Sequence, residues 1–265
     1  MKPSHYTINV SVANLYADPD FNSPVVTQGL MGESCDALED DGNWIKIRQW
    51  DGYESWGHRI FSFTVGENYS ASHTVTDIHG IVFQNIAQTI PLRDVTFGSK
   101  IHAEPLDEAN TYSVILPDGI SGFYKGDLMD TKSEPTREQL VLTAKRFLGA
   151  PYFWGGKSPK GFDCSGFVQT VFHSAGIDLP RDAHQQYDAF KTAAIDIQNS
   201  TIGDVHFFGT EESITHVAMS TGNKSFIHSQ GFVKEESLDE HSDSVNIDLI
   251  EKHVAVCSVE EVLQL

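Results

Sequence analysis

The strongest constraint in this chain is the run Gly161-Phe162-Asp163-Cys164-Ser165-Gly166-Phe167-Val168-Gln169. A loop rich in aromatic residues and glycine, Ala150-Pro-Tyr-Phe-Trp-Gly-Gly156, precedes it. Phe167, Val168, Val171, Phe172 and Ala175 then recur at helical spacing and stop at Gly176, a C-terminal cap. Cys164 therefore falls in or just before the first turn of a buried helix. Unpaired N–H groups and the positive end of the helix dipole point there. Both favour a thiolate, so the cysteine pKa is expected to be lowered. A cysteine so placed is either a nucleophile or a small buried hydrophobe, and the stretch alone leaves both open.

A thiolate nucleophile needs a base and a group that orients the base. Thr215-His216-Val217-Ala218-Met219-Ser220-Thr221-Gly222-Asn223-Lys224-Ser225-Phe226-Ile227-His228-Ser229 reads as two short strands around a Gly-Asn turn. In a hairpin centred on Gly222, His216 and His228 lie directly opposite each other on one face. One would take the thiol proton while the other holds its ring. A one-residue slip would break this, and the competing reading is two polar residues on a solvated sheet face.

These residues together resemble the NlpC/P60 cysteine peptidases. The resemblance rests on Tyr152-Phe-Trp-Gly-Gly156, Asp163-Cys164-Ser165-Gly166-Phe167, Leu179-Pro180-Arg181, Gly203-Asp204 before Phe207-Phe208, and His216 followed by a second histidine. It covers about the last half of the chain, from about Glu134 onward. It implies a papain-like α+β catalytic domain, a Cys164-His216-His228 catalytic set, and hydrolysis of the γ-D-glutamyl bond to a diamino acid in cell-wall peptides.

A chain of 265 residues has room for two or three domains with real cores. Its formal net charge of −19 argues against nucleic acid or an anionic membrane as partner, since phosphate binding needs basic patches. The first ten residues hold no apolar run of signal-peptide length, and no transmembrane stretch appears. Cys35, Cys164 and Cys257 are scattered and odd in number, which fits a reducing compartment; the expectation is a cytoplasmic protein.

Upstream, Val12-Ala-Asn-Leu15, Asp18-Pro19, Val25-Val26, Gly42-Asn-Trp-Ile-Lys-Ile-Arg48 and Asp51-Gly-Tyr-Glu-Ser-Trp56 are short alternating runs with turn punctuation, the pattern of a small β-barrel. Ile45 and Ile47 should face one side, and Trp44, Lys46 and Arg48 the other. The order of these elements resembles bacterial SH3 domains. Asp118-Gly-Ile-Ser-Gly-Phe123 echoes Asp51-Gly-Tyr-Glu-Ser-Trp56, and Tyr112–Leu116 aligns with Trp44–Arg48 after a one-residue slip. The expected organisation is an SH3-like barrel over residues 1–66, a divergent second one over 67–130, and the peptidase domain over 131–265. The barrels either bind peptide in an aromatic groove or pack against the peptidase domain.

Thr131-Lys-Ser-Glu-Pro-Thr136 reads as the linker, with Ser133 as helix cap and Pro135 in the first turn. Leu140, Ala144, Phe147 and Leu148 continue the helix to Gly149. Asp182 is expected to cap the helix carrying His184, Gln185 and Tyr187, to line the substrate site, or both. Asp204 reads as a structural turn residue and His206 as a surface one. Lys234–Asp243 reads as a solvated acidic loop, and Val254–Val259 as a last strand with Cys257 buried and inert.

Given the resemblance, the expected chemistry starts from a Cys164 thiolate paired with His216 as imidazolium, with His228 orienting His216. The backbone N–H of Cys164 is a candidate oxyanion donor and Tyr152 a candidate contributor of a hydroxyl. By resemblance, Asp163 and Ser165 contact the peptide. Resemblance to family members with two SH3-like domains also implies a substrate with a free N-terminal L-Ala. An ammonium held in a closed cleft needs a carboxylate, and Asp182 or Glu54 is the candidate. No cofactor or metal is expected, the partner is a small murein peptide, and the protein should act as a monomer. Competing readings are a binding module with an inactive cysteine domain, a zinc site made of Cys164, His216 and His228, and acyl transfer to an acceptor other than water.

Overall fold

The computed structural model describes residues 5–61, 63–65, 69–130 and 136–260. The chain divides into two compact units, Met1–Lys132 and Ser133–Leu265.

The first unit holds two seven-stranded antiparallel sheets. One contains β1 (His5–Ile8), β2 (Val12–Tyr16), β3 (Val25–Leu30), β4 (Ser34–Asp41), β5 (Trp44–Arg48), β6 (Glu54–His58) and β7 (Phe63–Val65). The other contains β8 (His73–Val75), β9 (His79–Phe83), β10 (Pro91–Thr96), β11 (Lys100–Pro105), β12 (Thr111–Ile115), β13 (Ser121–Lys125) and β14 (Leu128–Asp130). Their strand orders are β3-β2-β6-β5-β4-β1-β7 and β10-β9-β13-β12-β11-β8-β14, the same path traced twice. Trp44 pairs with His58 as Thr111 pairs with Lys125. The turns between these strands carry Gly52 and Gly119, each at φ +79, where only glycine is unstrained. Thr111, not Tyr112, thus corresponds to Trp44, and the alignment needs no slip.

Alternation sets the first core. Ile45 and Ile47 are fully buried with Tyr6, Leu15 and Cys35, while Trp44 and Lys46 on the other face are half-buried and Arg48 is exposed. Met31 leaves the first sheet and is buried among Val75, Val95, Ile101 and Val114 of the second. Its carbonyl accepts the Lys100 N–H at 2.7 Å, and Asn9 Nδ2 donates to Asp118 at 2.7 Å. The two sheets are therefore joined through a shared core and hydrogen bonds.

In the second unit, α1 (Arg137–Lys145) is followed by the short hairpin β15 (Lys157–Ser158) and β16 (Gly161–Phe162), then α2 (Cys164–Ser174) and α3 (Ala183–Phe190). A six-stranded sheet follows: β17 (Ala194–Ile195), β18 (Val205–Thr210), β19 (Ser213–Gly222), β20 (Ser225–Gln230), β21 (Phe232–Ser237) and, after α4 (Ile247–Glu251), β22 (His253–Cys257). Its order is β17-β22-β18-β19-β20-β21. This is α+β architecture. Helices α2 and α3 lie against β19, with Phe190 and Tyr187 meeting Phe207. Phe208 and Phe226 point the other way and pack with Leu238 and Leu249. No helix among the described residues is long and apolar enough to cross a membrane.

Four expectations change here. Ser133 and Pro135 lie outside the described residues; Thr136 caps α1, its hydroxyl accepting the Gln139 N–H while the Gln139 side chain returns to the Thr136 N–H. α1 ends at Lys145, so Phe147 reaches the core from a turn to stack near Phe162 and Phe167, and Leu148 is exposed. His206 is fully buried, its Nδ1 3.0 Å from His253 Nε2, because β18 is a central strand covered on both faces. The segment read as a solvated acidic loop begins as strand β21, which pairs with β20 along its whole length. Asp204 does hold a turn: it accepts from Thr201, Val259 and Arg137. Cys257 is buried in β22, its thiol pushed up to about 11 by burial.

Candidate active site

α2 begins at Cys164, and Asp163 is its N-cap, accepting the Gly166 N–H at 2.6 Å. The helix starts tight against the preceding loop: a Cβ on Gly166 would meet the Gly156 carbonyl oxygen at 2.1 Å. Asp163 is further engaged by the Gly155 N–H at 2.9 Å and by both guanidinium nitrogens of Arg181, at 2.6 and 3.1 Å. Arg181 also donates to the Ser165 hydroxyl at 3.1 Å, and that hydroxyl lies 3.4 Å from Asp163. Both carboxylate oxygens accept hydrogen bonds, so Asp163 builds the scaffold that holds the start of α2. Ser165 belongs to the same network.

The Cys164 sulfur is buried, within hydrogen-bonding reach of the Val217 and Ser165 backbone amides. Val217 follows His216 in β19, so the thiol bonds to the strand that carries that imidazole. Burial is the largest influence on the thiol and pushes it up to about 12, with the Asp163 charge adding to it; the two amides and Arg181 pull the other way and lose. The helix-start effect is present, but the expectation of a lowered cysteine pKa is overturned by desolvation. Burial likewise holds His216 down to about 3 and His228 down to about 4. Each of the three groups on its own rests neutral.

His216 and His228 do share a face, but not as direct opposites. The turn is made by Asn223 and Lys224, both with positive φ, and Gly222 pairs with Ser225 across it. A bulge between Ser220 and Gly222 then sets the register Ser220↔Phe226 and Met219↔Ile227. In that register His228 faces Ala218, with His216 its diagonal neighbour. The net slip is two residues, which keeps the face. His216 Nε2 and His228 Nδ1 are 2.7 Å apart with the rings edge to face. His228 Nε2 lies 3.0 Å from Glu236 Oε2. Both ring nitrogens of His228 are thus occupied, which leaves none for the zinc alternative.

Tyr152 is half-buried, and its phenol is raised to about 12, by burial first and then by the charges of Cys164 and Asp163. Asp182 is the N-cap of α3, its N–H accepted by Gln185 at 3.2 Å. Glu54 lies in β6 of the first unit, directly across from Arg48, which donates to it at 2.9 Å; Lys46 is 3.4 Å away. Sequence reasoning missed Glu236, because Lys234 and Glu236 stand in an acidic run whose strand character shows only through pairing with β20.

Comparison with known proteins decides the class. The profile of the NlpC/P60 family matches residues 149–249, and that of bacterial SH3 domains matches residues 11–59. The second unit is an NlpC/P60 cysteine-peptidase domain. A γ-D-glutamyl-L-lysine dipeptidyl-peptidase from Bacillus cereus is 30% identical over 77% of this chain, a match that spans 66% of the relative's own length. Dipeptidyl-peptidase 6 of Lysinibacillus sphaericus is 28% identical over 94% of this chain and 97% of that one. The crystal structure of an NlpC/P60 family protein from Bacillus cereus superposes with a TM-score of 0.84 at 24% identity, covering 96% of this chain and 99% of that one. That last likeness shows the fold alone.

Proposed function

We propose that this NlpC/P60 protein hydrolyses the γ-D-glutamyl bond to the diamino acid in L-Ala-γ-D-Glu-diamino acid peptides with a free N-terminus. The observation that carries the reading is the Cys164 thiol at the start of α2, bonded to the Val217 amide in the strand that carries His216, which is itself bonded to His228. Relatives whose names describe removal of a dipeptide support it, one of them matching nearly end to end.

Because thiol and imidazole rest neutral, the proton moves during attack. Sγ bonds to the γ-carbonyl carbon as its proton passes to His216, and the carbonyl electrons collect on oxygen near the Cys164 N–H and the Tyr152 hydroxyl. Collapse expels the diamino acid amine, protonated by His216, and leaves an acyl-enzyme. Water activated by His216 releases the dipeptide.

Asp182 pairs with the substrate ammonium. The substrate is a short murein peptide met during recycling, by a monomeric cytoplasmic enzyme without cofactor; the three free cysteines fit a reducing compartment. Mass spectrometry of products from L-Ala-γ-D-Glu-meso-diaminopimelate and its L-lysine counterpart tests this, beside N-acetylated peptides and Cys164→Ala. Release of L-Ala-D-Glu from the free peptides only, absent in the variant, is the expected result. Equal cleavage of the acetylated peptides would move the protein to remodelling of intact wall stems.

A further inference from the structure

Glu236 is held more firmly than a surface carboxylate. Lys234 Nζ donates to its Oε1 at 2.7 Å, and Asn246 Nδ2 donates to its Oε2 at 2.5 Å. Asn246 also caps α4, its Oδ1 accepting the Leu249 N–H at 3.0 Å, so the orientation of its amide is determined. The third contact of Glu236 is His228, which is fully buried.

We propose that Glu236 is a positioning residue of the catalytic set: through His228, its carboxylate dictates which nitrogen of His216 carries the proton. This rests on Cys164 being the nucleophile. An ionised carboxylate only accepts hydrogen bonds. Burial works against ionisation of Glu236, but Lys234, Asn246 and His228 outweigh it and hold the group below the usual carboxylate range. His228 must therefore donate from Nε2. A neutral imidazole that donates from one nitrogen accepts at the other, so His228 Nδ1 accepts. His216 Nε2 is then the donor across the 2.7 Å contact. The lone pair of His216 is left on Nδ1, and that is the nitrogen available to take the Cys164 proton.

When Sγ attacks, the proton moves from sulfur to His216 Nδ1 and His216 becomes an imidazolium. Its positive charge then faces an acceptor chain ending in Glu236. Of the charged groups that act on the two rings, Lys234 opposes a cation on either one and Glu236 favours a cation on His228. Without Glu236 the His228 ring is free to flip tautomer, and the 2.7 Å contact no longer specifies a donor. In a serine triad the group behind the histidine works by the same logic, and the wrong tautomer there costs about four orders of magnitude. One bond further back the cost should be smaller.

The test uses the full chain with ¹⁵N-labelled histidine. NMR should show His216 protonated on Nε2 and His228 on Nε2 in the unaltered protein. Glu236→Ala should mix these tautomers, slow iodoacetamide alkylation of Cys164, and lower kcat/KM about tenfold or more with little change in KM. Glu236→Asp, which restores a carboxylate, should recover part of each. A purely structural role would lower the melting temperature and leave tautomers and alkylation of the folded protein untouched, and that result would overturn the proposal. So would His216 protonated on Nδ1 in the unaltered protein, a readout that holds even if the alanine variant does not fold. Absence of peptide cleavage by the unaltered protein would sink the substrate reading alone, since tautomers and alkylation are read without substrate.

Discussion

Asp163 and Arg181 meet in a bidentate ion pair directly behind the nucleophile, at 2.6 and 3.1 Å, with Arg181 99% inaccessible to solvent. The pair joins the cap of α2 to the loop before α3. Removing one partner leaves the other charge buried, which costs about 3–5 kcal/mol. Arg181→Met should lose that much stability in urea unfolding and disturb the start of α2. A loss below about 1 kcal/mol would show that the pair is not what seats Cys164.

Acid should unfold the peptidase domain. His206 and His216 are held down to about 3 and His228 to about 4, chiefly by burial, against an unfolded value of about 6.5. As pH falls below 6.5 the unfolded chain takes up protons that the folded one refuses. The stability is present above that pH and is lost progressively down to 3–4, at up to about 1.4 kcal/mol per pH unit for each histidine. Urea midpoints measured from pH 7 to 4.5 should fall, and His206→Asn should flatten the slope. A flat profile would contradict the buried neutral histidines.

Cys164 should alkylate as a thiol poised for activation, not as a preformed thiolate. With the thiol near 12 and His216 near 3, the iodoacetamide rate should rise through pH 7–9 without an acid-side plateau. A plateau already reached at pH 5–6 would instead reveal a resting thiolate–imidazolium pair.

Gly166 should tolerate no side chain. A Cβ there would meet the Gly156 oxygen at 2.1 Å and Asp163 Oδ1 at 2.9 Å. Gly166→Ala should cost on the order of 1–3 kcal/mol by forcing backbone shifts. Because it moves the first turn of α2, kcat should fall more than tenfold even where circular dichroism shows a folded protein. Normal turnover would mean that the loop yields freely.

Selectivity for a free N-terminus separates two carboxylates. If Asp182 pairs with the ammonium, Asp182→Asn should raise KM for the free peptide and narrow the gap to the acetylated one. Glu54→Gln should then do little, since Arg48 and Lys46 already engage Glu54. The reverse outcome would overturn the assignment to Asp182.

Short-range pattern is legible in the sequence. Alternation put Ile45 and Ile47 on one face and Trp44, Lys46 and Arg48 on the other, because a strand turns successive side chains to opposite faces. The apolar series after Cys164 and the stop at Gly176 marked α2, and parity alone placed His216 and His228 on one face. What sequence could not reach depended on how strands met. The bulge that makes the two histidines diagonal, the burial of His206, and the union of Glu236, His228 and Asn246 all require pairing among β18 to β22 and the placement of α4. The state of Cys164 belongs to the same class. Sequence determined that a helix N-terminus favours its thiolate, a local effect of two or three backbone groups. Only the tertiary structure decided that desolvation outweighs it, because burial depends on every element packed around the sulfur and not on the residues next to it.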